Sequence, residues 1–249
     1  MMTRSIAAFI GASLVSGTAA AQGMPWSYNA VLYGWVPAMD ASVDTRFGEV
    51  ESSGSGSDAL SALDMAFMGT FEARRGKWGL IGDLIYADLS NSEATPRGVL
   101  FEDAEIGVKT TALSGYATYR VYETEAVAFD IGGGVRAFDL SVDTALNAAS
   151  DRVQDRGVSQ TASWADPLLA ARVIAPFGEK WFATAFADAG GFITESSSTW
   201  QVLGTVGYRF DERWAAQFGY RYMNLEKEID GRDVEVDLYG PLVGVSFRF

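Results

Sequence analysis

The chain contains neither histidine nor cysteine. Without cysteine there is no disulfide framework and no thiolate metal site. Without histidine a serine nucleophile lacks its usual activating base, and the commonest general acid–base group is missing. Catalysis by carboxylates alone stays conceivable, but the chain reads as non-enzymatic, with no catalytic residue and no cofactor. Positive charge is also scarce: 19 Lys and Arg stand against 32 Asp and Glu, a net charge of −13. Binding to a phosphate backbone needs a basic face, which argues against a nucleic-acid partner. Past residue 21 there is no uncharged apolar run of the roughly 18 residues that a transmembrane helix requires.

What is present begins with Met1 to Ala21. Arg4 supplies a positive region, Ile6 to Val15 an apolar run, and Ala19-Ala20-Ala21 a small-residue cleavage site, the three parts of a secretory signal. Cleavage before Gln22 is expected, leaving residues 22–249 as one domain. Arg4 leaves with the signal and no acid does, so the remaining chain is more acidic still.

Behind Phe249 every second position is apolar: Phe247, Val245 and Val243, with Tyr239 closing the stretch. A terminal aromatic on an alternating strand resembles the signal by which outer-membrane β-barrels are handed to their assembly machinery. Val243, Val245, Phe247 and Phe249 are therefore expected to act as an assembly signal.

Several other segments alternate with period two. Trp214, Ala216, Phe218, Tyr220 and Tyr222 share one face of a strand, and Trp200, Val202, Gly204, Val206, Tyr208 and Phe210 share one face of another. These faces are too aromatic for water, and their aromatics sit at the ends, where the girdles of an outer-membrane barrel lie. Three tight polar turns run directly into tryptophan: Arg74-Arg75-Gly76-Lys77 before Trp78, Gly178-Glu179-Lys180 before Trp181, and Asp211-Glu212-Arg213 before Trp214. Glu123-Thr124-Glu125 is a fourth. Short turns mark the periplasmic side of such barrels.

Strands placed around these turns cover 26–37, 65–74, 78–90, 108–122, 126–142, 164–176, 181–192, 199–210, 214–229 and 232–249. The expected fold is all-β, a transmembrane antiparallel up-and-down barrel of about ten strands, with eight or twelve as alternatives because 38–64 is ambiguous. Arg46-Phe47-Gly48-Glu49 can turn a hairpin there. Asp58 to Asp64, with Leu60 and Leu63 at helical spacing after a Ser57 cap, can form a short helix.

Asp230-Gly231 is a strong two-residue hairpin signal and predicts a register in which Ile229 opposes Arg232. Tyr222 then meets Tyr239, Phe218 meets Val243, Ala216 meets Val245 and Trp214 meets Phe247. At about 3.3 Å per residue and a tilt near 40°, Trp214 to Tyr222 rises about 20 Å, close to the apolar band of about 25 Å in such barrels.

Phe71-Glu72-Ala73-Arg74-Arg75-Gly76-Lys77-Trp78-Gly79 with Asp83-Leu84-Ile85-Tyr86, the early Trp35-Val36-Pro37 and the final Phe249 resemble a group of small proteobacterial outer-membrane β-barrel proteins, distantly similar to the OmpA and OmpW barrels. The resemblance covers most of the chain past the signal, and it implies a location and a fold without naming a ligand. Outer-membrane barrels that are enzymes, the lipases, lipid A acyl-modifying enzymes and omptin proteases, depend on a histidine that this chain lacks.

The inward phase of the predicted strands carries Glu72, Arg74, Asp83, Arg120, Asp130, Arg136, Asp166, Arg172, Asp188, Arg209, Arg221 and Arg248. Charges at membrane depth are costly alone, so acids and arginines are expected to pair and fill a narrow lumen. A selective path lined by the same arginines is the alternative. Gly132-Gly133-Gly134 lacks the following Lys-Ser of a phosphate loop and reads as a place where the wall bends or admits a bulky lumen group. The acids of the first loop do not match a calcium-loop spacing. Beyond the Tyr222–Tyr239 pair, the register sets Glu226 against Glu235 and Glu228 against Asp233. Like charges in direct opposition destabilise a strand pair, so this ladder either splays into solvent or shares a divalent cation with lipopolysaccharide phosphates.

The sequence thus points to an exported, monomeric outer-membrane barrel. Its role is structural or a surface interaction, its partners are membrane lipid, lipopolysaccharide and the barrel-assembly machinery, and the alternative is a narrow passive channel. A soluble periplasmic lipocalin-like barrel would leave the outward aromatics unexplained.

Overall fold

The computed structural model describes residues 25–45, 48–94, 101–148, 156–191, 197–229 and 232–249. The expected signal, Arg46-Phe47 and Asp230-Gly231 lie outside them. The strands are β1 (Ser27–Trp35), β2 (Ala38–Thr45), β3 (Gly48–Gly54), β4 (Leu63–Arg75), β5 (Trp78–Ala94), β6 (Phe101–Glu123), β7 (Ala128–Ala148), β8 (Arg156–Phe177), β9 (Trp181–Gly190), β10 (Ser197–Arg209), β11 (Trp214–Ile229) and β12 (Arg232–Arg248), with one helix, α1 (Gly56–Ser61).

Ten strands, β1 and β4 to β12, pair antiparallel in succession, and β1 closes the ring on β12. Closure leaves no edge along the wall, so strand backbone groups are satisfied without water. The seam is held at its end by Phe249, whose N–H donates to Tyr28 O and whose carbonyl accepts from Tyr28 N, both at 3.1 Å. No described helix is long and apolar enough to cross a membrane.

Side-chain burial is inverted relative to a water-soluble domain. Phe218 and Leu169 face outward, 64% and 66% exposed, while the Arg136 side chain inside the barrel is fully covered. An apolar exterior around a polar interior is what lipid outside and side chains inside require. The tryptophans that follow the turns all stand in one girdle and lean on aromatics of neighbouring strands: Trp78 on Tyr119, Trp181 on Tyr208 and Trp214 on Phe247, with ring centroids 5.0, 4.9 and 4.7 Å apart. Lys77 and Lys180 reach over Tyr119 and Tyr208, as amphipathic chains do at an interface.

The final hairpin has the predicted register throughout, from Trp214–Phe247 through Tyr222–Tyr239 to Ile229–Arg232. Four details differ from the sequence reading. The first strand does not run to residue 37, because Pro37 has no N–H for the ladder; β1 ends at Trp35, and after the break at Val36-Pro37 the chain resumes as β2, still alongside β12. β2 and β3 form a hairpin carried on β12, the hairpin alternative read for 38–64, and its two strands are additional to the closed ten where the main reading had ten alone. The helix starts from Ser55 rather than Ser57, since the Ser55 hydroxyl accepts from Asp58 N while Asp58 accepts from Ser55 N, a capping box; Leu63 belongs to β4. Finally, β6, β7 and β8 have 23, 21 and 22 residues, longer than predicted.

Candidate functional site in the barrel lumen

The lumen is built in layers from the inward phase of each strand. Nearest the tight turns, Glu72 and Arg74 from β4, Arg120 from β6, Asp130 from β7 and Arg172 from β8 converge. Arg172 grips Glu72 with both terminal nitrogens, Nη1 to Oε2 at 2.8 Å and Nη2 to Oε1 at 2.7 Å, and its Nη2 also donates to Asp130 Oδ2 at 2.8 Å. Asp130 Oδ2 accepts as well from Arg74 Nη2 at 2.7 Å, and its Oδ1 from Arg120 Nε at 2.8 Å. Arg120 reaches outward to Glu123 at 2.6 Å. Charge-assisted, partly bidentate bonds of this kind are the strong ones.

Above this layer lie two further networks. Arg221 Nη2 donates to Asp83 Oδ2 at 3.2 Å and Nη1 to Tyr33 Oη at 2.9 Å. Tyr33 and Thr70 donate in turn to Asp83 Oδ1, each at 2.8 Å. The Arg221 guanidinium also sits 5.3 Å from the Trp35 ring centroid. In the other network, Asp188 Oδ2 accepts from Arg136 Nη2 at 2.6 Å, from Tyr116 Oη at 2.7 Å and from Gln201 Nε2. Arg136 Nε donates to Ser114 and Nη1 to Thr199. Asp166 lies one strand away and accepts from Ser197 Oγ at 2.7 Å.

Beyond the charges comes an apolar layer. Trp35, Met68, Ile85, Ala112, Phe138, Met223 and Leu242 are buried together, and the Phe138 ring stacks on Trp164 at 4.9 Å. The lumen is therefore ion-paired towards its turn end and apolar towards its loop end.

Of the charges expected inside, Glu72, Arg74, Arg120, Asp130 and Arg172 form one cluster, Asp83 and Arg221 a second, Arg136 and Asp188 a third. Asp166 is held by a hydroxyl. Arg209 and Arg248 join no ion pair among the described residues. The neutral members Tyr33, Thr70, Ser114, Tyr116, Thr199 and Gln201 were not singled out from sequence. They share the inward phase of their strands, and a search for all polar residues on that phase, not only charged ones, finds them. Gly132 and Gly134 make room inside: a Cβ on Gly134 would lie 2.8 Å from the Tyr116 ring and 2.1 Å from Gly115 O.

On the outer surface, Glu226, Glu228 and Glu235 are exposed, and the side chain of Asp233 lies outside the described residues. Buried Asn224, in the same outward phase, donates to Glu235 Oε1 at 3.0 Å and to Asp237 Oδ1 at 2.9 Å, offsetting part of the repulsion. Among the described residues no group of three or more carboxylates is arranged to hold a metal ion. Val243 and Val245 face outward, and Phe247 and Phe249 join the turn-end girdle, Phe249 stacking on Tyr28 at 5.4 Å.

No family model and no curated protein matches the chain. Among solved structures it is similar to the outer-membrane protease OmpT from Escherichia coli, at 8% identity over 92% of this chain and 99% of that one, with a TM-score of 0.62. It is also similar to Ail, the attachment invasion locus protein of Yersinia pestis, at 12% identity over 91% and 99%, TM-score 0.37. A third is Neisserial surface protein A, at 14% identity over 90% and 97%, TM-score 0.34. At these identities the likeness is one of fold: the chain has the architecture of a bacterial outer-membrane β-barrel.

Proposed function

We propose that the chain is a non-enzymatic outer-membrane barrel, closed to the passage of solutes, whose loop-end extension acts outside the membrane. The observation that carries this reading is the buried apolar layer of Trp35, Phe138 and Met223 above the three ion-paired networks, which a path through the lumen would have to displace. The chain has no histidine, and most lumen carboxylates are held by guanidiniums and hydroxyls. The fold shared with a protease carries no chemistry across.

A surface role is supported by where the outward face changes character. Along β7 it passes from Ile131 and Val135 to Asp139 and Ser141, and along β8 from Leu169 to Ser163, Thr161 and Ser159. Ser163 donates to Asp139 at 2.6 Å across the pair. At about 3.3 Å per residue and a tilt near 40°, strands of some 22 residues rise about 55 Å, roughly twice the apolar band. The polar half projects from the membrane, and with the tight turns on the periplasmic side it stands at the cell surface.

Single-channel recording of the refolded chain tests closure: no stable conductance is expected in planar bilayers. Steady ion-selective channels of nanosiemens size would overturn it and favour the narrow-channel alternative.

A further inference from the structure

An acidic chain has gathered cations around one cavity. A space of about 440 Å³ enters the lumen from the turn end, its wall including Arg209, Arg213 and Arg248 together with Phe182, Trp214 and Gln217. It reaches Leu203 and Leu242 of the apolar layer, which on the closed-lumen reading makes it a blind vestibule.

The cavity's cations fall into a paired and an unpaired set, and Arg221 of β11 belongs to the paired set through Asp83. On the β4 to β8 wall, Arg74, Arg120 and Arg172 are engaged by Glu72 and Asp130. On the β10 to β12 wall, Arg209, Arg213 and Arg248 make no ion pair with any described carboxylate. Asp211, the nearest acid in the turn, spends Oδ1 on Arg213 N and Trp214 N at 2.7 and 2.8 Å, and Glu212 stands exposed beside it.

Arg209 and Arg248 both line this space, from β10 and β12, Arg209 half-buried and Arg248 exposed at its mouth. With Arg213 they set three guanidiniums on it against the carboxylates of Asp211 and Glu212, a surplus of positive charge that an anion would offset. The cavity is apolar as well as cationic: the Arg209 guanidinium lies 4.7 Å from the Phe182 ring centroid, and Val31, Ile174 and Phe186 continue the lining. A mostly apolar cleft with a few convergent polar groups is the usual form of a small-ligand site.

We propose that this vestibule binds a small amphipathic oxyanion, a phosphate monoester or carboxylate on an apolar body, entering from the turn end and held by Arg209 and Arg248. Its source is either a free solute or the headgroup of an anionic lipid in the adjoining leaflet. The site requires the turn-end cavity but not the closed lumen, so conductance and binding fail independently.

Titration calorimetry on the full refolded chain in phosphatidylcholine nanodiscs tests this, with phenyl phosphate as probe, phenol as its uncharged counterpart, and ionic strength held constant. Saturable one-to-one binding of phenyl phosphate is expected, with none for phenol, and at least tenfold weaker binding in the double variant Arg209→Gln, Arg248→Gln. Neither arginine belongs to an ion-paired network, so the double variant should retain the heat-modifiable gel band of a folded barrel. Should it fail to assemble, the single variants are read separately, each expected to weaken binding at least threefold. If phosphatidylglycerol in the nanodisc displaces the probe, the occupant is a lipid headgroup; if affinity is unchanged, it is a free solute. No saturable binding in phosphatidylcholine, or equal affinity in wild type and variants, would overturn the proposal.

Discussion

Arg172 serves two acids at once, and that makes it the most consequential single side chain of the lumen. Replacing it with alanine leaves Glu72 and Asp130 to compete for Arg74 and Arg120. Stranding partners of a buried ion pair typically costs about 3 to 5 kcal/mol, so Arg172→Ala should lower the unfolding free energy measured in denaturant by an amount of that order. An unfolding free energy unchanged within about 1 kcal/mol would show that the cluster reorganises at little cost. Asp211 offers a pH test in a turn outside the membrane. Backbone N–H groups of Trp214 and Arg213 hold its carboxyl below the usual aspartate range. A depressed folded value contributes stability above the unfolded pKa of about 3.9, and that contribution is lost as pH falls through the folded value. Asp211→Ala should therefore melt below wild type at neutral pH, and the difference should shrink towards pH 2. An equal difference at both pH values would refute the linkage.

At the scale of elements, the β11–β12 hairpin can be checked directly because the chain has no cysteine of its own. Glu226 and Glu235 face each other, and directly opposed Cβ atoms are about 5 Å apart, against 7 to 8 Å for diagonal neighbours. The pair E226C with E235C should oxidise to an intramolecular disulfide, whereas E226C with D237C should not. Comparable yields from both would mean that the register slips. This hairpin was legible in sequence because its turn and two alternating faces agree on a single register. The first strand was not, because Val36-Pro37 marks a break without saying that the chain would continue beside the same neighbour. For α1 the helix itself was expected, but the cap was placed two residues late: Ser55 and Ser57 are both adequate caps, and only the reciprocal bond to Asp58 selects between them.

For the whole molecule, closure of β1 on β12 is the event on which everything else depends, and Phe249 is part of it through its backbone bonds to Tyr28 and its ring contacts. Removing Phe249 should reduce the fraction that runs as a fast, folded band without heating, while export continues. The intact chain is expected in the outer-membrane fraction; recovery in the soluble periplasm would overturn its placement in a membrane.

The sequence by itself determined the strand alternation, the tight turns, the aromatic girdles and which charges face inward, because a strand has period two and each of these properties follows from local spacing. Inward charges on one strand or on neighbouring strands meet through local spacing and hairpin register, as Arg74 does with Glu72 and Arg120 with Asp130; the distant meetings were decided by closure. Arg172 and Glu72 are 100 residues apart and come together only because the ring brings β8 opposite β4. The uneven division of cations is likewise only partly local: Arg74 and Arg120 have Glu72 and Glu123 within three residues and pair with them, whereas Arg209 has Asp211 two residues on and makes no ion pair with it, an outcome that only the finished cylinder decides.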